Sequence, residues 1–523
     1  GTIGAERGAR YIVDHFAAAG LRPGGEGGGF LQSFVIGSTV HLGAGSSLVR
    51  LGARPARFEA GRDWMPHGGS SRGSVRGELV FAGYGVSASG RDDYAGLDVT
   101  GRVVLVLDGA PPQLSGPPPS RLDKLIAARR RGAVALLIAG DGLPALESTS
   151  APVNLVSGTL TTATTDALLA PSGLTRAELA RRVAESRASP SLAIGVEVSL
   201  RIDLQPIDVR TANVIGVVPG HDPARAAEAV VVGAHYDHLG RSDGAVYPGA
   251  DDNASGTAVV MELARAFATS GGAPRTLVFV LFAGEEIGLR GSRHYLGDPA
   301  VPIERTVAMI NFDMVGRLGD RPLDVGGVGT GSGLKTTVDD AGRQVGIALA
   351  DRDAPGGASD HAPFYSAGVP VLFFHTGANP DYHRPTDTAD KIDADGMARV
   401  AAVAAPVIEY VAGHSRPTYV ALPPRPRSPG APSPRGVAFL GVSPARAGLS
   451  DGVRLGAVVP DGAAARAGIR EGDIIVRLGE VPVQSFEELR AALQVRRPGD
   501  PVQIVYLRDG EDREVQAVLG ERP

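Results

Sequence analysis

At 523 residues with 43% hydrophobic side chains, the chain is long enough to build two to four separate cores. A net charge of −5 argues against nucleic acid or an anionic membrane surface as partner, and no run approaches the ~18 apolar residues of a membrane span. There is no cysteine, which excludes disulfides and thiolate metal sites, so any metal must be held by His, Asp and Glu.

In chain order, Glu6 to Leu21 has Ala9, Ile12, Val13, Phe16 and Leu21 at helical spacing, which predicts an amphipathic helix followed by a strand over Phe30 to Ile36. From about Arg62 the texture changes to short β runs broken by glycine: Gly77 to Gly85, then Val103 to Leu107. A helix near Ser120 to Arg131 and a strand at Ala133 to Ile138 complete a small αβ module ending near Pro190. From Ile215 strands and helices alternate as a largely parallel sheet requires. Val230–Val232, Leu277–Phe282, Val307–Phe312 and Val371–Phe374 are the strands, and Ala258 to Phe267 is an intervening helix. Ser415 to Gly436 is dense in Pro, Arg and Ser and predicts an extended linker, and residues 437–523 form a last domain. The expected division is 1–61 and 196–414 for the main α/β domain, 62–195 for the insert, 415–436 for the linker and 437–523 for the final domain.

Five stretches within this frame each supply one metal-ligand type: Gly233-Ala-His235-Tyr-Asp237-His238, Gly249-Ala-Asp251-Asp252-Asn253, Ala283-Gly-Glu285-Glu286, Asn311-Phe-Asp313 and Asp381-Tyr-His383. Most directly follow an apolar run, and in open α/β sheets ligands collect beyond the carboxyl ends of strands. Peptide hydrolysis by two cations needs a carboxylate between the metals, a His or acid capping each, and a free general base. Singly, a His-x-Asp is a common structural pair, adjacent glutamates a solvated turn, and paired aspartates a helix cap; jointly and in order they point to a metal site. Gly69-Ser-Ser71-Arg-Gly73 matches the serine-hydrolase elbow but sits in a polar, glycine-rich stretch rather than at a strand-to-helix turn. Helical zincin and phosphate-loop motifs are absent from the sequence.

These segments resemble the di-zinc aminopeptidases that include aminopeptidase Y and the bacterial leucine-type aminopeptidases, with glutamate carboxypeptidase and the transferrin receptor as more distant relatives. The resemblance implies a mixed, mostly parallel sheet flanked by helices (the zinc-exopeptidase fold) and two Zn²⁺ per chain. It places His235 and Asp313 on one metal, Glu286 and His383 on the other, and Asp252 between them. It makes Glu285 the general base, Asp237 the acid that orients the first histidine, and Tyr382 a candidate donor to the oxyanion. His238 and His361 match no ligand and are expected as pocket wall or as residues supporting the ligands, with a purely structural histidine the commoner case, while Gly326 to Gly333 and Asp351 to Asp360 are expected to shape the specificity pocket.

The insert resembles a protease-associated domain, on Gly83-Tyr-Gly85 and Asp93 to Arg102 before a Val-rich strand. Residues 437–523 resemble a bacterial-protease PDZ domain, on Phe439-Leu-Gly-Val442, Ala463 to Gly468 and Gly472 to Val476. Such domains take a C-terminal peptide as an extra strand, here at Leu440-Gly441-Val442. The implied function is an aminopeptidase acting on peptides or proteins, secreted, periplasmic or envelope-associated. The alternatives are a carboxypeptidase, dipeptidase or other amide hydrolase on the same metals, or an inactive scaffold, against which the intact Glu285 and full ligand set speak.

Overall fold

The four continuous apolar runs become adjacent strands of one sheet in the computed structural model. Ala229–His235 lies between Thr276–Phe282 and Thr306–Phe312, with Val371–His375 beyond, and every pairing among these four is parallel. All residues of the first three strands are buried, as a parallel sheet covered on both faces requires. Leu204–Val218 adds an antiparallel edge on one side. On the other, Leu323–Gly326 pairs antiparallel with Val371–His375 and parallel with Leu349–Arg352. The sequence reading did not anticipate this last pair, because both strands are short and only half apolar.

The structure describes residues 2–88, 91–112, 114, 118–146, 151–185, 192–242, 244–357, 359–422, 438–445 and 452–521. The chain divides into two units, Gly1–Gly37 with Val209–Ala431, and Ser38–Asp208 with Pro432–Pro523.

In the first unit, alternate strand residues supply two cores. Val230, Val232, Phe279, Ile310 and Phe312 face the helices Ile3–Ala18, Gly256–Thr269, Leu334–Val345 and Ala394–Gly413. Val231, Val278, Val280 and Met309 face the shorter helices Arg290–Gly297 and His361–Ser366, through Tyr295 and Phe364. Ala394–Gly413 is long and apolar enough to cross a membrane by length and composition, against the expectation of no such run. Its Val400, Val403, Ala404, Val407, Ile408 and Val411 are core residues of this unit, which accounts for its apolarity.

The second unit carries an eight-stranded sheet around the parallel strands Gly73–Phe81, Val103–Leu107, Ala135–Ala139 and Val156–Leu160. Its limits are wider than the expected 62–195, because Ser47–Arg50 and Ala56–Glu59 pair into the same sheet and Leu192–Ile202 runs past its end. The helix Arg121–Arg130 starts on a capping box made by Ser120 and Asp123. Residues 438–521 form a β-rich fold with helices Ala463–Arg466 and Phe486–Gln494. Of the expected linker, residues 423–436 lie outside the described residues.

The C-terminal fold and the insert share a core. Ile474, Val476 and Leu507 are buried in the same cluster as Leu122, Leu125, Ile126, Val153 and Leu155. Around it Arg129 pairs with Glu511 and Asp512, Arg130 with Asp512, and Arg477 with Asp123. Asn154 Nδ2 donates to Glu511 Oε1 at 2.6 Å and to the Asp509 carbonyl at 3.2 Å. Asp512 is almost fully buried by this pairing, and reversing the charge of a partner of a buried carboxylate is costly, about 3–5 kcal/mol. The double variant Arg129→Glu/Arg130→Glu should therefore release the two folds from each other. Hydrogen exchange of Leu122–Ala128 is expected to quicken while that of Ala229–His235 stays unchanged; retained protection of the helix would refute the shared core.

His361 begins the short helix His361–Ser366, and its ring stacks on Phe373 with centroids 4.4 Å apart. Burial lowers its pKa to about 4, so the folded chain keeps it neutral where the unfolded chain would take up a proton. Its stabilising contribution is complete above about pH 6.5 and is lost as pH falls from there to about 4, a loss on the order of 3 kcal/mol. His361→Phe keeps a ring against Phe373. Because phenylalanine does not titrate, urea midpoints should show the parent losing stability relative to the variant as pH falls from about 6.5 to 4; a difference that does not change with pH would refute this.

Candidate metal centre

His235, Glu285, Glu286 and Asp313 stand at or just beyond the carboxyl ends of three neighbouring parallel strands, and His383 follows the fourth. Asp252 comes from the turn that leads into the helix Gly256–Thr269. All six therefore meet at one rim of the sheet, where strand ends leave side chains free of ladder packing.

They form two clusters joined by one carboxylate. His235 Nε2 lies 3.4 Å from Asp252 Oδ1 and 3.5 Å from Asp313 Oδ1. His383 Nε2 lies 3.2 Å from Asp252 Oδ2 and 3.1 Å from Glu286 Oε2. Ligands held tetrahedrally at 2.0–2.1 Å from a divalent ion are separated by about 3.3 Å, and these separations match. His383 Nε2 is buried yet makes no hydrogen bond despite its two close carboxylates. The donor set is N and O only, so it suits a hard-to-borderline divalent metal.

The surrounding bonds set each ligand. His235 Nδ1–H donates to the Asp237 carbonyl at 3.0 Å, which leaves Nε2 as the lone pair facing Asp252 and Asp313. The Asp237 carboxylate is 3.8 Å from that ring and instead accepts from the backbone N–H groups of Glu285 (3.1 Å) and Glu286 (3.3 Å). Asp237 thus orients the histidine through its main chain and the two glutamates through its side chain. Thr257 Oγ1 donates to the His235 carbonyl, and His375 Nδ1 to that of Asp313. Of the aspartate pair, Asp251 is structural. Its carboxylate accepts from Gly316 N at 2.8 Å and Asn379 Nδ2 at 2.8 Å.

Asp387, four residues beyond His383, accepts from the backbone of both Asp251 and Asp252 and pairs with Arg317 at 3.0 Å. It ties the segment carrying His383 to the turn carrying Asp252. His238, one of the two histidines expected at the pocket, does not line the cavity; its Nδ1 lies 2.8 Å from Glu286 Oε1. Sequence spacing signals neither, because each acts on a residue distant along the chain. His383 and Met314 both hold left-handed backbone, with φ of 55° and 54°; non-glycine residues in this region cluster at functional sites.

Burial would raise the pKa of Asp252, but the imidazoles of His235 and His383 beside it hold it below the usual carboxylate range. Glu286 is lowered in the same way against burial by His238 and His383. Glu285 has no such bond. Burial pushes it up to about 9, with Asp360, Asp313 and Glu286 adding to the rise against His235. It is the carboxylate here most avid for a proton. Asp360, also buried, is pushed up to about 7 by burial first.

The cavity over this centre, about 340 Å³, is lined by Asp252, Glu285, Glu286, Asp313, Met314, Arg352, Gly357, Ser359, Phe373, His375, Ala378 and Tyr382. The segment Asp351 to Asp360 thus contributes to the wall as expected. Gly326 to Gly333 does not; its Gly327 N–H bonds the Arg352 and Ala354 carbonyls, so it backs that wall from behind. Tyr382 is half exposed and stacks on His383 with centroids 3.9 Å apart.

Residues 213–408 match peptidase family M28, and residues 438–519 match the PDZ domain. The chain is 31% identical over 216 residues to aminopeptidase YwaD of Bacillus subtilis, covering 39% of this chain and 46% of that one. It is 34% identical over 186 residues to a probable leucine aminopeptidase of Arthroderma otae, covering 34% and 52%. To the probable lipoprotein aminopeptidase LpqL of Mycobacterium tuberculosis it is 29% identical over 340 residues, covering 58% and 61%. The chain spans about half the length of the first two relatives. The five residues of the double cluster and Glu285 all fall inside the segment that matches peptidase family M28, and the segment that matches the PDZ domain follows it.

Proposed function

We propose that this chain is a di-zinc aminopeptidase that removes residues from the free amino end of peptides or proteins. The observation that carries the reading is the Asp252 carboxylate, whose two oxygens are divided between two donor clusters, beside a glutamate that bonds neither histidine. His235 and Asp313 would hold one zinc, Glu286 and His383 the other, and Asp252 both. Bound zinc would supply a water of lowered pKa and offset charge on the tetrahedral oxyanion.

Glu285, the carboxylate here outside both donor clusters, would take a proton from the attacking water and pass it to the leaving amine. Asp237 keeps Glu285 and Glu286 in register by holding both backbone N–H groups. Tyr382, at the cavity wall, would donate to the oxyanion. The one arginine lining the cavity, Arg352, is engaged by both oxygens of Asp324 and so is not free to receive a substrate carboxylate. This favours an aminopeptidase over a carboxypeptidase on the same scaffold. That three similar proteins bear aminopeptidase names points the same way.

The insert is read as a protease-associated domain and the final fold as a reader of C-terminal peptides. The strand Val442–Pro444 pairs only with Val453–Val458 among the described residues, which leaves an edge for an added strand next to Leu440-Gly441-Val442. An exported or envelope location accords with the lipoprotein name of one relative.

The test is hydrolysis of amino-acid p-nitroanilides against N-acetylated counterparts. Cleavage of free-amine substrates only is expected. Chelation should abolish it and zinc restore it, and Glu285→Gln should lower kcat by about 10²–10⁴-fold with zinc content unchanged. Cleavage of blocked or C-terminal substrates would replace the aminopeptidase reading, and full activity in Glu285→Gln would remove its general base.

A further inference from the structure

His238 stands against the metal centre, and with Asp252 and Glu286 it forms a group of donors close enough to share a metal ion, so the question is whether it is a ligand or holds one. Its ring is nearly buried, and its Nδ1 makes a well-aligned hydrogen bond of 2.8 Å with Glu286 Oε1. The distances separate two roles. A ligand of the second cluster would lie about 3.3 Å from each neighbouring donor. His383 Nε2 meets that description, at 3.1 and 3.2 Å from Glu286 and Asp252 with no hydrogen bond. His238 Nδ1 does not: it is 2.8 Å from one carboxylate oxygen, 3.8 Å from Asp252 Oδ2, and aimed at the nearer. Its other nitrogen, Nε2, is buried without a hydrogen-bond partner, so the bond to Glu286 is what orients the ring. Gly249 makes room for it, since a Cβ there would lie 2.5 Å from His238 Cγ.

We infer that His238 is a positioning residue for Glu286: its Nδ1–H occupies Oε1, leaving Oε2 alone to face the metal position shared with His383 and Asp252. A carboxylate free at both oxygens can swing between one-oxygen and two-oxygen binding. Held at Oε1, it presents a single donor in a fixed place. The neighbouring Glu285 benefits as well, because the two glutamates share one backbone turn pinned by Asp237. Sequence proximity to His235 and Asp237 is incidental, since the bond crosses 48 positions of chain to its partner. This inference rests on the two-zinc reading of the site.

The full-length protein, stripped of metal, is titrated with zinc in competition with a chromophoric chelator, comparing parent, His238→Ala and His238→Asn. The asparagine Nδ2 sits where the imidazole Nδ1 sits and can donate the same hydrogen bond, but it is a poor zinc ligand. The parent is expected to bind two zinc ions. His238→Ala should weaken one of them by about 10–100-fold and leave the other unchanged, which also shows that the variant is folded. His238→Asn should restore the weakened site towards the parent. Unchanged affinities in His238→Ala would overturn the inference. Equal loss in His238→Asn and His238→Ala would overturn it too, by making the imidazole a ligand in its own right. A parent that binds fewer than two zinc ions would remove the two-zinc reading and this inference together.

Discussion

The sharing of one carboxylate between two imidazoles is the constraint on which the centre depends. Asp252 is 3% exposed, and a buried carboxylate without partners would neutralise itself rather than stay charged. His235 and His383 on opposite oxygens keep it ionised. For both to reach it, two loops that are 131 positions apart must be locked together, and Asp387 does this by bonding the Asp251 and Asp252 backbone while pairing with Arg317. Asn253 continues the lock, its amide donating to the Phe312 carbonyl at 2.9 Å and accepting from Gly256 N at 2.9 Å. The polar groups under the site are thus satisfied by one another, which is what allows them to be buried.

A parallel sheet suits such a centre for a mechanical reason. Its strands are buried on both faces and cannot shift without disturbing two cores, so their ends are the most rigid points from which loops can start. The loops then supply chemistry, and their strained positions, His383 and Met314 at positive φ, sit next to the ligands rather than in the scaffold. The histidine tautomers follow from the same economy of bonds. A carbonyl on Nδ1 of His235 settles which nitrogen faces the metal position.

The second unit alters how its two recognisable parts are to be regarded. A domain reached through a Pro- and Arg-rich linker reads as a tethered module. Its burial of Ile474, Val476 and Leu507 against the insert, inside a ring of arginine–carboxylate pairs, makes it part of a common core instead. The contact uses residues of Ile474–Leu478 and Pro501–Arg508 rather than Leu440-Gly441-Val442.

The sequence by itself determined the ingredients that depend on local pattern. Continuous apolar runs announced the parallel strands, helical spacing announced Ile3–Ala18 and Gly256–Thr269, and the ligand types stood directly after the runs that carry them. The edge strands Leu323–Gly326 and Leu349–Arg352 were not legible, because short half-apolar segments become strands only when a neighbour offers its ladder. Nor could spacing reveal that Asp237 reaches its histidine by its carbonyl, that Gly326 to Gly333 lies behind the cavity wall, or that His238 bonds Glu286. Those facts concern which atom of a side chain faces which partner across the fold. Hydrophobic period fixes a residue's element and face, but hydrogen-bond direction is set only when distant loops have been packed to within about 3 Å of one another.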